Sequence, residues 1–125
     1  MKYALLIYEN PEPFANREQL DSEYYGAWRA YYRALVDAGV YVGGDPLHAP
    51  ETATTVRHRD GKKLIQDGPY ANTKEQLAGF IVLELPSLDA ALEWASRCPS
   101  THAGAVEVRP LAPEQKRRVT CSSDD

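Results

Sequence analysis

The run KYALLIY, residues 2–8, decides the fold of this 125-residue chain. Alternate side chains of a strand point to opposite faces, and both sets in this run are apolar: Tyr3, Leu5 and Ile7 on one face, and Ala4, Leu6 and Tyr8 on the other. The run GFIVLEL, residues 79–85, is apolar on nearly both faces as well. Strands of this kind must be covered on both sides. We therefore expect them at the centre of a sheet with a layer packed on each face.

A long amphipathic helix is predicted after the first strand. Its apolar residues recur at spacings of three and four, as on one face of a helix: Leu20, Tyr24, Trp28, Tyr31, Leu35 and Ala38. Asn16 and Gln19 have the spacing of a capping box at its start, and Gly39 stands where a C-terminal cap belongs. The stripe carries more aromatic rings than one sheet face usually needs, which indicates a pocket or a partner.

Turn residues and periodicity place the remaining elements. VYVGG, residues 40–44, is predicted to form a strand, and Asp60-Gly61 supplies the tight turn of a β-hairpin. Ser87 caps a second helix, and AVEVRPL, residues 105–111, forms the last strand. The apolar side of the second helix is expected to contain Leu88, Ala91, Leu92, Ala95 and Cys98.

The order β, α, β, β-hairpin, β, α, β predicts an α+β fold, a ferredoxin-like antiparallel sheet with helices on one face. The helices leave the second apolar face of the sheet open, and a second copy of the chain would cover it in an isologous homodimer. We therefore expect a dimeric α+β barrel. The domain is predicted at residues 1–111, followed by a polar, flexible tail at residues 112–125.

Composition and charge limit the classes of partner, compartment and cofactor that we expect for this protein. The net charge of −4 argues against a nucleic-acid partner, because phosphate binding needs clustered cations. The apolar run at the N-terminus is too short for a secretion signal or a membrane span, and Cys98 and Cys121 are expected to be reduced thiols, so we expect a cytoplasmic protein. The three histidines lack metal-ligand spacing, and Gly43-Gly44-Asp45 lacks that of a phosphate loop, so no metal and no cofactor are predicted.

The stretch DGPYANTKE, residues 67–75, follows the hairpin. With its surroundings, residues 53–99, it resembles the DGPF branch of the YCII-related proteins, whose motif is Asp-Gly-Pro-Phe, a variable residue, Glu, another variable residue, and Lys-Glu. The matching positions are Asp67, Gly68, Pro69, Lys74 and Glu75, while Tyr70 replaces Phe and Asn72 replaces Glu. The resemblance covers roughly residues 1–111.

The resemblance implies a dimeric α+β barrel, in agreement with the expectation from burial. The branch has no established general reaction, and some members are encoded beside, or fused to, alternative sigma factors of the extracytoplasmic-function type. The wider group is thought to use a His-Asp pair, with the histidine on the first long helix. Trp28 falls near that position in this sequence, so the pair does not carry over.

Asp67 and His48 are the candidate catalytic residues. Asp67 acts either as a general base at a strand end or as a turn residue that accepts a backbone N–H. His48 lies in a loop with prolines on both sides, where it either shuttles a proton or is simply exposed to solvent. Arg57 would bind a substrate carboxylate. Tyr70 is either a pocket wall or a core ring with its hydroxyl satisfied.

The spacing of Asn72 and Glu75 predicts a short helical turn, which would leave Lys74 exposed or paired across a dimer. This local structure would explain the end of the motif without any function.

Two functions stay open. The first is a small cofactor-free enzyme, an isomerase or lyase, or a binder of a small organic molecule, with Tyr24, Trp28 and Tyr31 lining its pocket. The alternative is a non-catalytic regulatory module that binds a sigma factor. In that alternative the tail EQKRRVTCSSDD, residues 114–125, is the contact arm.

Overall fold

The computed structural model describes residues 1–10 and 23–112. Its strands are β1 (Lys2–Glu9), β2 (Tyr41–Pro46), β3 (Thr54–Arg59), β4 (Lys62–Asp67), β5 (Gln76–Glu84) and β6 (Gly104–Pro110). Its helices are α1 (Glu23–Asp37), α2 (Leu88–Ser96) and the short α3 (Ser100–Ala103), with a 3-10 turn at Pro50–Thr52. The predicted capping box at Asn16 and Gln19 and the predicted tail from residue 113 onward lie outside the described residues.

A four-stranded antiparallel sheet with the order β2-β5-β1-β6 forms the centre of the domain. The two strands with apolar residues on both faces, β1 and β5, are its inner strands, as the sequence predicts. Leu5 of β1 lies opposite Ile81 on one side and Val108 on the other. The α+β, ferredoxin-like architecture is therefore confirmed.

The helices pack against one face of this sheet. Leu5, Leu35 and Leu83 are fully buried there, and burying such side chains contributes about 1.5–3 kcal/mol each. On the opposite face Leu6 and Tyr8 are half-buried, and Phe80 is 37% exposed. The second apolar face that the sequence predicts is therefore present, without a helix over it among the described residues.

The β3–β4 hairpin forms a separate two-stranded sheet inserted between β2 and β5. Asp60 and Gly61 have φ angles of 52° and 75°, as the predicted tight turn requires. The short helical turn predicted at Asn72 is wrong, because residues 71–75 contain no helix. The side-chain amide of Gln76 instead donates to the carbonyl oxygens of Ala71 and Thr73, both at 2.8 Å, and this holds the loop.

The predicted C-terminal cap of α1 and the predicted N-cap of α2 are confirmed, whereas α2 ends at Ser96, before Cys98. Gly39 has φ 73° and donates its N–H to the carbonyl of Val36 at 3.0 Å. The Ser87 hydroxyl oxygen accepts the N–H of Ala90 at 3.2 Å. The predicted apolar side of α2 is only partly buried, since Leu88 and Leu92 are about half exposed. None of the helices in the described ranges is long and apolar enough to cross a membrane.

Candidate functional site

A buried carboxylate lies at the end of the central strand β1. Strand alternation places Glu9 on the same face as Leu5 and Ile7, under the helices, and the residue is only 4% exposed. A carboxylate in such a position costs free energy unless hydrogen-bond donors surround it. The surroundings of Glu9 therefore decide what this carboxylate does.

Two hydroxyl groups meet at Glu9. The Tyr24 hydroxyl donates to Oε2 of Glu9, and the Ser100 hydroxyl donates to the same oxygen at 3.0 Å. The hydroxyl oxygens of Tyr24 and Ser100 lie 2.8 Å apart. Ser100 is fully buried, whereas Tyr24 is half-buried. We refer to Glu9, Tyr24 and Ser100 as the Glu9 cluster.

Three distant parts of the chain meet in the Glu9 cluster: the end of β1, the N-terminal part of α1 and the start of α3. A second contact fixes β1 against α3, since the side-chain amide of Asn10 donates to the carbonyl of Ala103 at 2.7 Å. The cluster is thus held from two sides, as a preorganised site requires.

Burial is the main cause that raises the pKa of Tyr24, to about 12, and the hydrogen bond to Glu9 raises it further. The Ser100 hydroxyl and the Trp28 indole act in the opposite direction on this pKa. Tyr24 is therefore a neutral hydrogen-bond donor at physiological pH. Burial also raises the pKa of the neighbouring Cys98 thiol to about 11, so Cys98 is a thiol and a poor nucleophile.

Aromatic rings line α1 next to the Glu9 cluster. The rings of Trp28 and Tyr31 meet edge to face with centroids 5.7 Å apart. Tyr31 is buried, and its hydroxyl donates to the carbonyl of Trp94 at 2.7 Å. Trp28 is half-buried. Tyr24, Trp28 and Tyr31, which the sequence predicts as one pocket wall, are thus neighbours on one helix, with Tyr31 the deepest.

The DGPY segment is fixed to the hairpin. Gly68 donates its N–H to the carbonyl of Ala53 at 2.8 Å, and Thr55 donates its hydroxyl to the carbonyl of Gly68 at 2.8 Å. The guanidinium of Arg57 lies 4.6 Å from the centroid of the Tyr70 ring, as a cation–π pair. Tyr70 is 73% exposed, so it is not a core ring.

Asp67 and His48, the two candidate catalytic residues, are both exposed. Within residues 1–10 and 23–112, no hydrogen bond or ion pair holds the Asp67 carboxylate, and none joins Asp67, His48 or Arg57 to the Glu9 cluster. The structure therefore separates the predicted site residues into two groups. Arg57 and Tyr70 meet on the hairpin, and Tyr24, Trp28 and Tyr31 meet on α1.

Neither Glu9 nor Ser100 was predicted from the sequence as a site residue. Glu9 ends an apolar run, which makes it look like the first solvated residue after the strand. Glu9 follows Leu5 and Ile7 at steps of two residues, so strand alternation places it on their inward face, and this spacing was the signal that could have identified it. Ser100 follows Pro99 in what looked like a loop, and the short helix α3 that buries it was not predicted.

Over the described parts of the chain, no group of three or more His, Cys, Asp or Glu side chains could hold a metal ion. The Glu9 cluster contains a single carboxylate and two hydroxyls, which is a set suited to proton transfer and hydrogen bonding.

Comparisons with known proteins agree with this architecture. A family model described as the YCII-related domain matches residues 1–115. Uncharacterized protein R00369 of Rhizobium meliloti (strain 1021) is 38% identical over 117 residues, which cover 90% of this chain and 93% of that protein. A solved structure of 5-chloro-2-hydroxyhydroquinone dehydrochlorinase from Burkholderia phenoliruptrix AC1100, in complex with 2,5-dihydroxybenzoquinone, matches with a TM-score of 0.51. At 19% identity, with 90% of this chain and 94% of that chain covered, this likeness shows a shared fold.

Proposed function

The chain belongs to the YCII-related family, and on that premise we propose that it is a small cofactor-free enzyme, or a binder, for a small organic molecule. Acid/base chemistry at the Glu9 cluster, in an isomerase or lyase type of step, is its proposed activity. One observation carries the proposal: a carboxylate that is 4% exposed accepts hydrogen bonds from two hydroxyls beside an aromatic wall.

Glu9 suits the role of general base because it combines burial with nearby proton carriers. Proton transfer needs a group within hydrogen-bond reach of the reacting atom, in a site from which water is excluded. Tyr24 contacts Glu9 and is itself half-buried, so it links the buried carboxylate to the more accessible side of the cluster.

Asp67, at the end of β4, and His48, in the loop after β2, are the alternative acid/base groups; we call the exposed part of the hairpin with Asp67 and Arg57 the hairpin rim. Their exposure makes them less suited than Glu9 to chemistry that excludes water. Arg57, paired with Tyr70, would meet an acidic group of a ligand at that rim.

The fold neighbour directs the choice of first ligands. That protein is a dehydrochlorinase bound to a dihydroxybenzoquinone, so hydroxylated aromatic rings belong in a screen beside small carboxylates and amino-acid derivatives.

We also propose that a second copy covers the open face of the sheet, where Leu6, Tyr8 and Phe80 lie. Such a pairing would be isologous, with the same patch on both protomers.

The test is a thermal-shift screen of the wild-type protein and Glu9→Gln against these three compound classes. A ligand at about 100 times its Kd adds roughly 2.7 kcal/mol to the free energy of unfolding, which raises the Tm by several degrees. We expect at least one class to bind the wild type and to lose binding in Glu9→Gln. Binding that Glu9→Gln leaves intact but Asp67→Asn removes would move the site to the hairpin rim. A flat screen would contradict the proposal and favour the sigma-factor module.

A further inference from the structure

We propose that one face of the β3–β4 hairpin binds an extended acidic segment of another protein. This face carries the side chains of Arg57, Arg59 and Lys62, and we refer to it as the basic face. The inference goes beyond the proposed function, because it concerns a protein partner and a surface that shares no residue with the Glu9 cluster.

The register of the hairpin brings the three cations together. Residues directly opposite each other in an antiparallel pair lie on the same face, and so do residues two apart along a strand. Arg59 lies opposite Lys62, and Arg57 precedes Arg59 by two residues on β3. The other strand positions on this face are uncharged: Thr55, Leu64 and Gln66. The strands therefore place three positive charges and no carboxylate on the basic face.

In the described part of the chain, no carboxylate pairs with these cations. Asp67 lies opposite Thr54, on the other face of the hairpin. Within residues 1–10 and 23–112, Arg57, Arg59 and Lys62 form no ion pair. Arg59 and Lys62 are exposed, and like charges directly opposite each other on a hairpin repel. An anionic partner would relieve this repulsion, so the basic face is complementary to negative charge.

An exposed aromatic ring adjoins the basic face. The guanidinium of Arg57 lies 4.6 Å from the centroid of the Tyr70 ring, which is 73% exposed. Leu64, directly opposite Arg57, is 46% exposed. Tyrosine and arginine are among the residue types enriched at protein–protein interfaces. A protein partner would thus gain apolar contact at this face as well as charge pairing.

The edges of the hairpin suit an extended partner. Among the described residues, β3 and β4 pair only with each other, so the outer edge of each strand has no strand beside it. An extended peptide can add to such an edge as a further strand. Its alternate side chains then lie on one face. Acidic residues at every second position of the peptide would therefore lie beside the basic face.

A nucleic acid fits these features less well than an acidic peptide. Its binding relies on neutralisation of several phosphates along an extended backbone, whereas the basic face offers three cations on a chain whose net charge is −4. Single strands also stack successive bases on aromatic rings, and Tyr70 supplies a single ring in contact with this face. A nucleic acid would also make no use of the strand edges.

The test is an NMR titration of the full chain, labelled with 15N, with an acetylated and amidated peptide of about ten alternating glutamate and threonine residues, long enough to add as a strand. The control peptide has glutamine in place of glutamate. We expect the glutamate peptide to shift the amide resonances of β3 and β4. The glutamine peptide should bind at least about tenfold more weakly, because it lacks the charge that the basic face attracts.

Two double variants separate the basic face from the charge of the whole chain. Arg59→Gln with Lys62→Gln should weaken binding of the glutamate peptide about tenfold, the effect of losing two exposed charge pairs. Lys63→Gln with Lys74→Gln is the matched control, since Lys63 lies on the other face of the hairpin and Lys74 in the loop after β4. This control should change the affinity less than about threefold, because its charges are screened at a distance. All four side chains are exposed, so both variants should keep the wild-type Tm.

Strand pairing is tested with N-methylated glutamate peptides, methylated on the glutamates in one version and on the threonines in the other. Each version blocks one edge of an added strand, because successive residues direct their N–H groups to opposite edges. At least one version should lose binding, and unimpaired binding of both would overturn the proposal.

Three further outcomes would also overturn the proposal. The first is a glutamate peptide that shifts no resonance of β3 or β4. The second is an equal loss of affinity in the two double variants, because the charge of the whole chain would then explain binding. The third is tighter binding of an oligothymidylate of similar length than of the glutamate peptide, which would identify the partner as a nucleic acid.

Discussion

The Tyr24 hydroxyl donates a hydrogen bond to the Glu9 carboxylate, joining helix α1 to a side chain at the end of the central strand that is only 4% exposed. This contact links stability to the proposed chemistry, since Glu9, which we propose as the general base, also connects α1, β1 and α3. Its contribution can be measured without knowledge of the ligand.

Replacement of Glu9 by Ala should destabilise the protein by about 1–3 kcal/mol, because the Tyr24 and Ser100 hydroxyls lose a charged acceptor in a buried place. Urea denaturation measures the change. Glu93→Ala is the matched control, since Glu93 is exposed on α2 and surface substitutions change stability by about 0.5 kcal/mol or less. Equal stability of the Glu9 and Glu93 variants would show that the cluster is not a structural link.

Stability should fall in alkaline solution as tyrosines ionise. Burial raises the pKa of Tyr24 from 10.0 to about 12, so the folded state keeps a proton that the unfolded state has lost. The stabilisation is fully present below pH 10 and is lost as the pH rises toward 12. Tyr24→Phe should reduce this loss between pH 10 and 12, as followed by urea midpoints at several pH values. A loss of stability between pH 10 and 12 that is the same in Tyr24→Phe as in the wild type would contradict the assignment.

Asp67→Asn should leave the fold intact. The carboxylate is exposed and makes no hydrogen bond within the described ranges, so we expect a change of at most about 0.5 kcal/mol in the free energy of unfolding. Thermal unfolding by circular dichroism measures it. A much larger loss would return Asp67 to the turn-cap role, which the sequence alone leaves open.

Replacing Gly68 and replacing Gly26 by Ala should change the free energy of unfolding in opposite directions. Gly68 has φ 104°, a conformation that side chains rarely adopt, while an added Cβ would meet nothing within 4 Å. Gly68→Ala should therefore cost more than about 1 kcal/mol through backbone strain alone. Gly26 lies inside α1, also with open space around an added Cβ, and Gly26→Ala should stabilise by about 0.5–1 kcal/mol. Urea midpoints compare the two, and a shift in the same direction for both would show that φ is not the cause.

The fold could be predicted because the spacing of apolar residues along the sequence shows which segments are strands and which are helices. Tyr3, Leu5 and Ile7 alternate with a second apolar set, and Asp60-Gly61 allows a tight hairpin turn. Both signals are local, since they depend on neighbouring residues or on whether a residue has an odd or even position in its strand. The separation of the β3–β4 hairpin from the main sheet depends on long-range pairing, which no local pattern records.

The candidate site was less predictable because its members come from distant segments. Tyr24 was found through the aromatic stripe, but its partners Glu9 and Ser100 lie 15 and 76 residues away in sequence. Glu9 looked like a strand end because charged residues usually mark exposed positions. The motif at residues 67–75 attracted attention through its composition, yet Asp67 within it is exposed.

The open face of the sheet is the proposed contact between two copies of the chain. Phe80 lies opposite Leu6 there, is 37% exposed, and would be buried if a second copy packed face to face. Phe80→Lys should then shift the protein from dimer to monomer in analytical ultracentrifugation, since a buried unpaired charge on both protomers opposes an isologous contact. Val56→Lys is the control, because Val56 is 55% exposed on the separate hairpin. A wild-type monomer at high protein concentration, or a dimer that only Val56→Lys disrupts, would place the contact elsewhere.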